Sequence, residues 1–150
     1  MMTQQRTAWA VALVIIAVSW AGCASPEASV QRADLRDVSL QALEIGVTLD
    51  LHNPNDFSIP VEGIDWNLSL FDDAVASGQA NPQSKIPAGA TRDVDVPISL
   101  RLSDLRDTAS HLRSSSHIPY EVAGTVNFEV PTGTVSVDFS RDGRWNNPLR

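Results

Sequence analysis

The residues of this chain predict a mainly β fold, an antiparallel two-sheet sandwich of about seven strands with one short helix. Three observations carry that reading. Apolar side chains recur at every second position in five separate runs, Pro, Gly and Asn punctuate the intervals, and one short segment alone has apolar residues at helical spacing. A strand with one buried and one wet face alternates its side chains, whereas a helix buries a stripe with a period of about 3.6 residues.

The clearest run is Leu43 to His52, where Leu43, Ile45, Val47, Leu49 and Leu51 share one parity and Glu44, Gly46, Thr48, Asp50 and His52 the other. Ile64, Trp66, Leu68 and Leu70 repeat the pattern, and so do Val94, Val96, Ile98, Leu100 and Leu102. Tyr120, Val122, Gly124, Val126, Phe128 and Val130 follow, then Val135, Val137 and Phe139. Turn signals stand between them at Asn53-Pro54-Asn55-Asp56, Asp72-Asp73, Asn81-Pro82, Pro87-Ala88-Gly89 and Pro131-Thr132-Gly133, the last joining the two final strands as a hairpin. Proline lacks the amide hydrogen that a ladder needs, while Asn and Gly accept the left-handed backbone of tight turns. The helical segment starts at Ser103 as its cap, with Asp104 and Asp107 near the positive end and Leu105, Ala109 and Leu112 on one stripe. A polar loop, Arg113 to His117, then returns the chain to Ile118, and Trp145 in the tail is expected to fold back on the core. With no long apolar helix to cover them, such strands pack face to face in a sandwich of immunoglobulin-like proportions.

Ahead of the strands stands a leader: Arg6, then the apolar run Ala8 to Val18, then Ser19-Trp20-Ala21-Gly22-Cys23. A basic start, an apolar centre and small residues at the end make an export signal. Ala21-Gly22-Cys23 resembles a bacterial lipoprotein processing box, which makes Cys23 the lipidation site. Trp20 stands where that pattern prefers Leu, Val or Ile, so two alternatives remain beside it: an uncleaved anchor helix over the uncharged stretch Thr7 to Pro26, and ordinary cleavage after Ala24. All three export the body. Cys23 is the chain's single cysteine, and a processing-site role accounts for an exported thiol that has no disulfide partner. Ala24 rather than Asp after the cysteine resembles an outer-membrane sorting signal. The division is then 1–22 signal peptide, 23–29 lipidated tether, 30–143 domain and 144–150 tail, with the protein expected on the periplasmic face of the outer membrane where there is one.

A formal net charge of −7, made one unit more acidic by loss of Arg6, argues against binding nucleic acid or anionic lipid head groups through general electrostatics. The membrane is reached through the lipid, and envelope proteins are the partners to expect.

The body resembles the water stress and hypersensitive response (WHy) domain of late embryogenesis abundant group 2 proteins. The resemblance rests on the strand Leu43 to Leu51 running into Asn53-Pro54-Asn55, on Ile59-Pro60-Val61-Glu62-Gly63-Ile64-Asp65-Trp66, on Gly78 and Ile86-Pro87-Ala88-Gly89, and on the alternating segment Asp93 to Leu102. It spans roughly Val30 to Phe139. It implies a fibronectin-III-like or immunoglobulin-like sandwich and a part in tolerating desiccation, cold or osmotic stress, with no catalytic residues and no cofactor.

Residues with chemical potential point the same way. His52, His111 and His117 lack any spacing that seats a metal. Ser114 to Ser116 beside His117 lack the strand-to-helix elbow of a nucleophile, and Asp93 with Asp95 lack calcium-loop spacing. Asn67-Leu68-Ser69 matches a glycosylation acceptor yet lies mid-strand, and Trp66 sits on the apolar parity as a core residue. The loop Asn53, Pro54, Asn55 and Asp56 is expected to fix the chain's exit from one sheet through side-chain bonds to backbone. It is also the candidate recognition loop. The alternative function is an envelope adaptor that engages a partner protein or apolar ligand through its loops or a sheet edge.

Overall fold

The computed structural model describes residues 24–150, so the leader and Cys23 lie outside the described residues. Eight strands form in the order β1 (Glu27–Val38), β2 (Ala42–His52), β3 (Ile59–Leu70), β4 (Asp73–Ala80), β5 (Lys85–Ile86), β6 (Thr91–Arg101), β7 (His117–Val130) and β8 (Gly133–Asn146). The three-stranded sheet runs β1-β2-β6, and the larger sheet runs β4-β3-β7-β8 with β5 pairing the start of β3. Every pairing is antiparallel. A three-on-four sandwich results, with the short β5 as an eighth strand beyond the seven expected.

The alternation places the core. Leu43, Ile45, Val47, Leu49 and Leu51 of β2 and Val94, Val96, Ile98 and Leu100 of β6 are all buried against Ile64, Leu68, Leu70, Val122, Val126 and Phe128 of the opposite sheet. Along β3 the parity switches: Ile59 and Val61 point inward, then Ile64, Leu68 and Leu70. A bulge between Val61 and Gly63 in the β3–β7 register supplies the extra residue that makes the switch.

Trp66 is half-buried against this core, and the row it belongs to explains two glycines. Across the larger sheet Gly78, Trp66, Gly124 and Phe139 are register partners on four successive strands. The indole packs over Gly78, where a Cβ would meet its ring at 2.7 Å, and the Phe139 ring packs over Gly124 at the same 2.7 Å. Flat rings lie where neighbouring side chains are missing.

Four elements differ from the sequence expectation. The first strand begins at Glu27, so Glu27–Ser29 are ladder residues rather than tether, paired with Asp50–His52. The expected single helix from Ser103 is divided into a 3-10 turn, Leu102–Asp104, and a short α1, Ala109–Ser114. Ser103 lies inside the turn and makes no cap bond, and Thr108 takes the N-cap position of α1 without one. Leu105 and Leu112 are both buried all the same, with Thr108 between them, so the apolar stripe reaches the core although the helix is interrupted. Finally, β8 extends through Arg144 to Asn146, and His117 opens β7 instead of closing a loop.

Trp145 does fold back. Its ring stacks on Tyr120 at a centroid separation of 4.0 Å, and its indole N–H donates to Ala33 O at 2.9 Å. Arg141 donates to Val30 O and Gln31 O, carbonyls beside the first bulge of β1. These two side chains sew β8 to β1 and close one flank of the sandwich.

Candidate functional site

The most heavily built polar cluster lies at the end of the sandwich where β2 leaves its sheet. Asn53 is fully buried and Asn55 nearly so. Asn53 Nδ2 faces three carbonyl oxygens, Phe57 O at 2.7 Å, Ile86 O at 3.1 Å and Pro87 O at 3.2 Å, so one amide ties the β2–β3 loop to the β5–β6 loop. Its Oδ1 accepts from the Asn55 backbone N–H at 3.0 Å and from Asn55 Nδ2 at 3.3 Å. The Asn53 N–H donates to Ala90 O, and the Gly89 N–H, at a residue with φ of 65°, donates to Asn55 O. Buried polar groups are tolerated because each finds a partner.

Asn55 turns the other way and grips the start of the described chain. The Ala24 N–H donates to Asn55 Oδ1 at 2.8 Å, and Asn55 Nδ2 donates to Ala24 O at 2.8 Å. This is the two-point pairing of one primary amide with one residue's backbone. Pro26, buried just beyond, leads into β1. Of the four candidate loop residues, Asn53 and Asn55 spend their amides inside the molecule, while Pro54 and Asp56 are exposed.

The same device recurs. Asn53-Pro54-Asn55, Asn81-Pro82-Gln83 and Asn147-Pro148-Leu149 each fold so that the third residue's N–H donates to the asparagine Oδ1, at 3.0, 3.2 and 3.1 Å. Proline between them sets the backbone of this Asx turn. Asn147 is buried, and its Nδ2 donates to Leu112 O and Ser115 O at 2.7 and 2.8 Å, closing the carbonyl end of α1. Sequence reasoning passed over Asn147 as part of a tail, although its Asn-Pro dipeptide was the available signal.

The outer sheet faces carry linked polar side chains. On the larger sheet Ser136 donates to Asn127 Oδ1, and Asn127 donates to Asp65 Oδ2, a chain of bonds across β8, β7 and β3. Thr125 donates to Asp138, and Thr134 to Glu62. On the smaller sheet Thr48 donates to Asp95 at 2.8 Å and His52 bonds Thr91. Asp50 and Asp93 stand directly opposite each other on β2 and β6. A hydrogen bond between their carboxyls, with burial and the neighbouring charge, holds Asp50 above the ordinary value of 3.8.

The remaining chemical candidates are dispersed. His52 closes β2, His111 stacks on Phe71 within the helical segment, and His117 opens β7 with its Nδ1 3.0 Å from Ser116 Oγ on the surface. Among the described residues no group of three or more His, Cys, Asp or Glu side chains is placed to hold a metal ion, and no helix is long and apolar enough to cross a membrane.

Against this geometry the comparison with known proteins is specific. The family model for late embryogenesis abundant protein matches residues 48–143. The chain belongs to the late embryogenesis abundant family. It is 28% identical over 124 residues to the late embryogenesis abundant protein Lea14-A of Gossypium hirsutum, covering 82% of each chain. It is 27% identical over 124 residues to a desiccation protectant protein, the Lea14 homolog of Glycine max, again covering 82% of each. A solution structure from Arabidopsis thaliana superposes with a TM-score of 0.69 at 24% identity, covering 88% of both chains, which supports the shared sandwich. The matched segment contains the Asn53–Asn55 hub, the Trp66 row and all but the last three residues of the β7–β8 hairpin.

Proposed function

We propose that this family member is a non-enzymatic, WHy-type (group 2) stress-protection protein, held at the envelope by lipid on Cys23, where it shields proteins or membrane during desiccation, cold or osmotic stress. The observation that carries the reading is its match to the late embryogenesis abundant family together with relatives named for desiccation, such as the Glycine max protein. The outer faces give it a physical means. Their carboxylates, amides and hydroxyls form bonded rows across the strands, a surface that retains hydration as bulk water is withdrawn. Acyl chains on Cys23 supply the two or more hydrophobic anchors that stable membrane attachment needs.

A strain lacking the gene is expected to lose survival through drying, osmotic shock or freezing, and the purified body to preserve a labile enzyme through a drying cycle. Unchanged survival with no protection of the enzyme would sink the reading. Cys23→Ser is expected to abolish incorporation of labelled lipid and to leave the precursor unprocessed, and persistent labelling removes the anchor. Crosslinking in intact cells is expected to yield a diffuse set of neighbours; a single stoichiometric partner would point instead to an adaptor.

A further inference from the structure

The grip of Asn55 on Ala24 fixes more than a loop. Ala24 follows Cys23 by one peptide bond, so the residue proposed to carry lipid starts about 4 Å from a backbone held at both its N–H and its C=O. Burial of Pro26 and the start of β1 at Glu27 leave no slack between that point and the sandwich. An anchor at Cys23 therefore has no flexible tether.

A second, independent feature marks the same end. The loops there, residues 53–58, 81–84, 87–90 and 131–132, contain a single charged side chain, Asp56. The strand ends that border them carry Glu27, Lys85, Arg92 and Glu129 within two residues of the loops, with the facing Asp50 and Asp93 one residue further in. The loops of the opposite end carry Asp72, Asp104, Arg106, Asp107, Arg113 and Arg150. The loops at the end that holds Ala24 therefore approach a head-group layer with the fewest charged side chains to desolvate.

Resting on the lipid-anchor reading, we propose that the Asn53–Asp56 and Pro87–Gly89 loops form a membrane-apposed face, with Asn55 as the clamp that stands the sandwich upright on the bilayer surface. The strands then run away from the membrane, and the Ser39–Gln41 hairpin, the helical segment and the C-terminus form the outer pole, where neighbours are met.

The test uses the full-length, lipid-bearing protein in phosphatidylcholine vesicles containing a nitroxide-labelled lipid as head-group quencher. Acylation blocks the only native thiol, so Ala88→Cys and Leu40→Cys each accept one fluorophore at an exposed site. Strong quenching is expected at position 88 and little at position 40, roughly 35 Å away along β2. Inserting twelve Gly/Ser residues between Cys23 and Ala24 adds a flexible reach of roughly 20 Å and is expected to cut quenching at position 88 several-fold. The Ala24 amide is expected to be protected from hydrogen exchange and to lose that protection in Asn55→Ala. Equal quenching at both positions, or an insertion without effect, in protein whose mass shows the lipid, overturns the orientation and leaves the anchor standing. A mass showing unmodified Cys23 overturns the anchor and the orientation together.

Discussion

Asn53 is the residue on which the largest number of loop contacts converge. Replacing it with alanine leaves three carbonyls without their shared donor inside the protein, and an unsatisfied buried polar group costs about 1–3 kcal/mol. Asn53→Ala is expected to lose roughly 3 kcal/mol in urea unfolding. Loss below 1 kcal/mol would mean that the loops hold themselves. Asp50 gives the opposite sign. Its folded pKa is raised, so protonation favours the fold below the ordinary value of 3.8, and that contribution disappears as pH rises through the folded value. Above that window two facing carboxylates repel. Asp50→Asn is therefore expected to melt with the parent near pH 3 and about a degree or two above it at pH 7. A variant less stable at neutral pH would show that the facing charges are not what limits this pair.

At the scale of elements, the aromatic and glycine row is the most sensitive. A Cβ on Gly124 would run into the Asp65 carbonyl and the Phe139 ring, and a backbone atom cannot swing aside. Gly124→Ala is expected to cost about 2 kcal/mol in chemical unfolding. Gly63→Ala serves as its control, because the nearest atom there, the Ala80 carbonyl oxygen, lies at an ordinary 3.7 Å. The five alternating runs fall on β2, β3, β6, β7 and β8, clearest on β2, β6 and β7, each buried on one face by bulky apolar residues. β1 escaped the period because bulges between Val30 and Arg32 and between Leu35 and Asp37 shift its parity twice. β4, an edge strand of Ala, Ser and Gly around Val75, buries too little to leave a pattern. Its turn sits at Phe71 and Asp72, both at positive φ, where sequence had pointed to Asp72-Asp73. The side-chain-to-backbone role of the Asn53 loop could be read from its residue types, but its partners could not. Ala24, Ile86 and Pro87 lie more than thirty residues away and are brought there only by the fold.

Over the whole molecule the two sheets are joined along one flank by side chains from the last strand. Trp145→Phe preserves the stack on Tyr120 and removes the indole donor to Ala33 O, so a loss of about 1 kcal/mol is expected, with the unfolding transition still cooperative. A biphasic transition would show that the seam is what makes the sheets unfold together. The family match and the solved relative establish the architecture, and the sequence pattern already contained most of it. What the pattern lacked was the wiring of the two poles, where Asn53 and Asn55 fasten one and Asn147 the other.

Each of the three asparagines in those Asx turns is followed by proline. Spontaneous deamidation of asparagine begins when the next residue's backbone nitrogen attacks the side-chain carbonyl, and a prolyl nitrogen, with no hydrogen to lose, cannot complete that ring closure. The usual chemical ageing route is thus shut at Asn53, where conversion to aspartate would set a carboxylate against three carbonyl oxygens. Such a hub is suited to molecules that must wait a long time between synthesis and use.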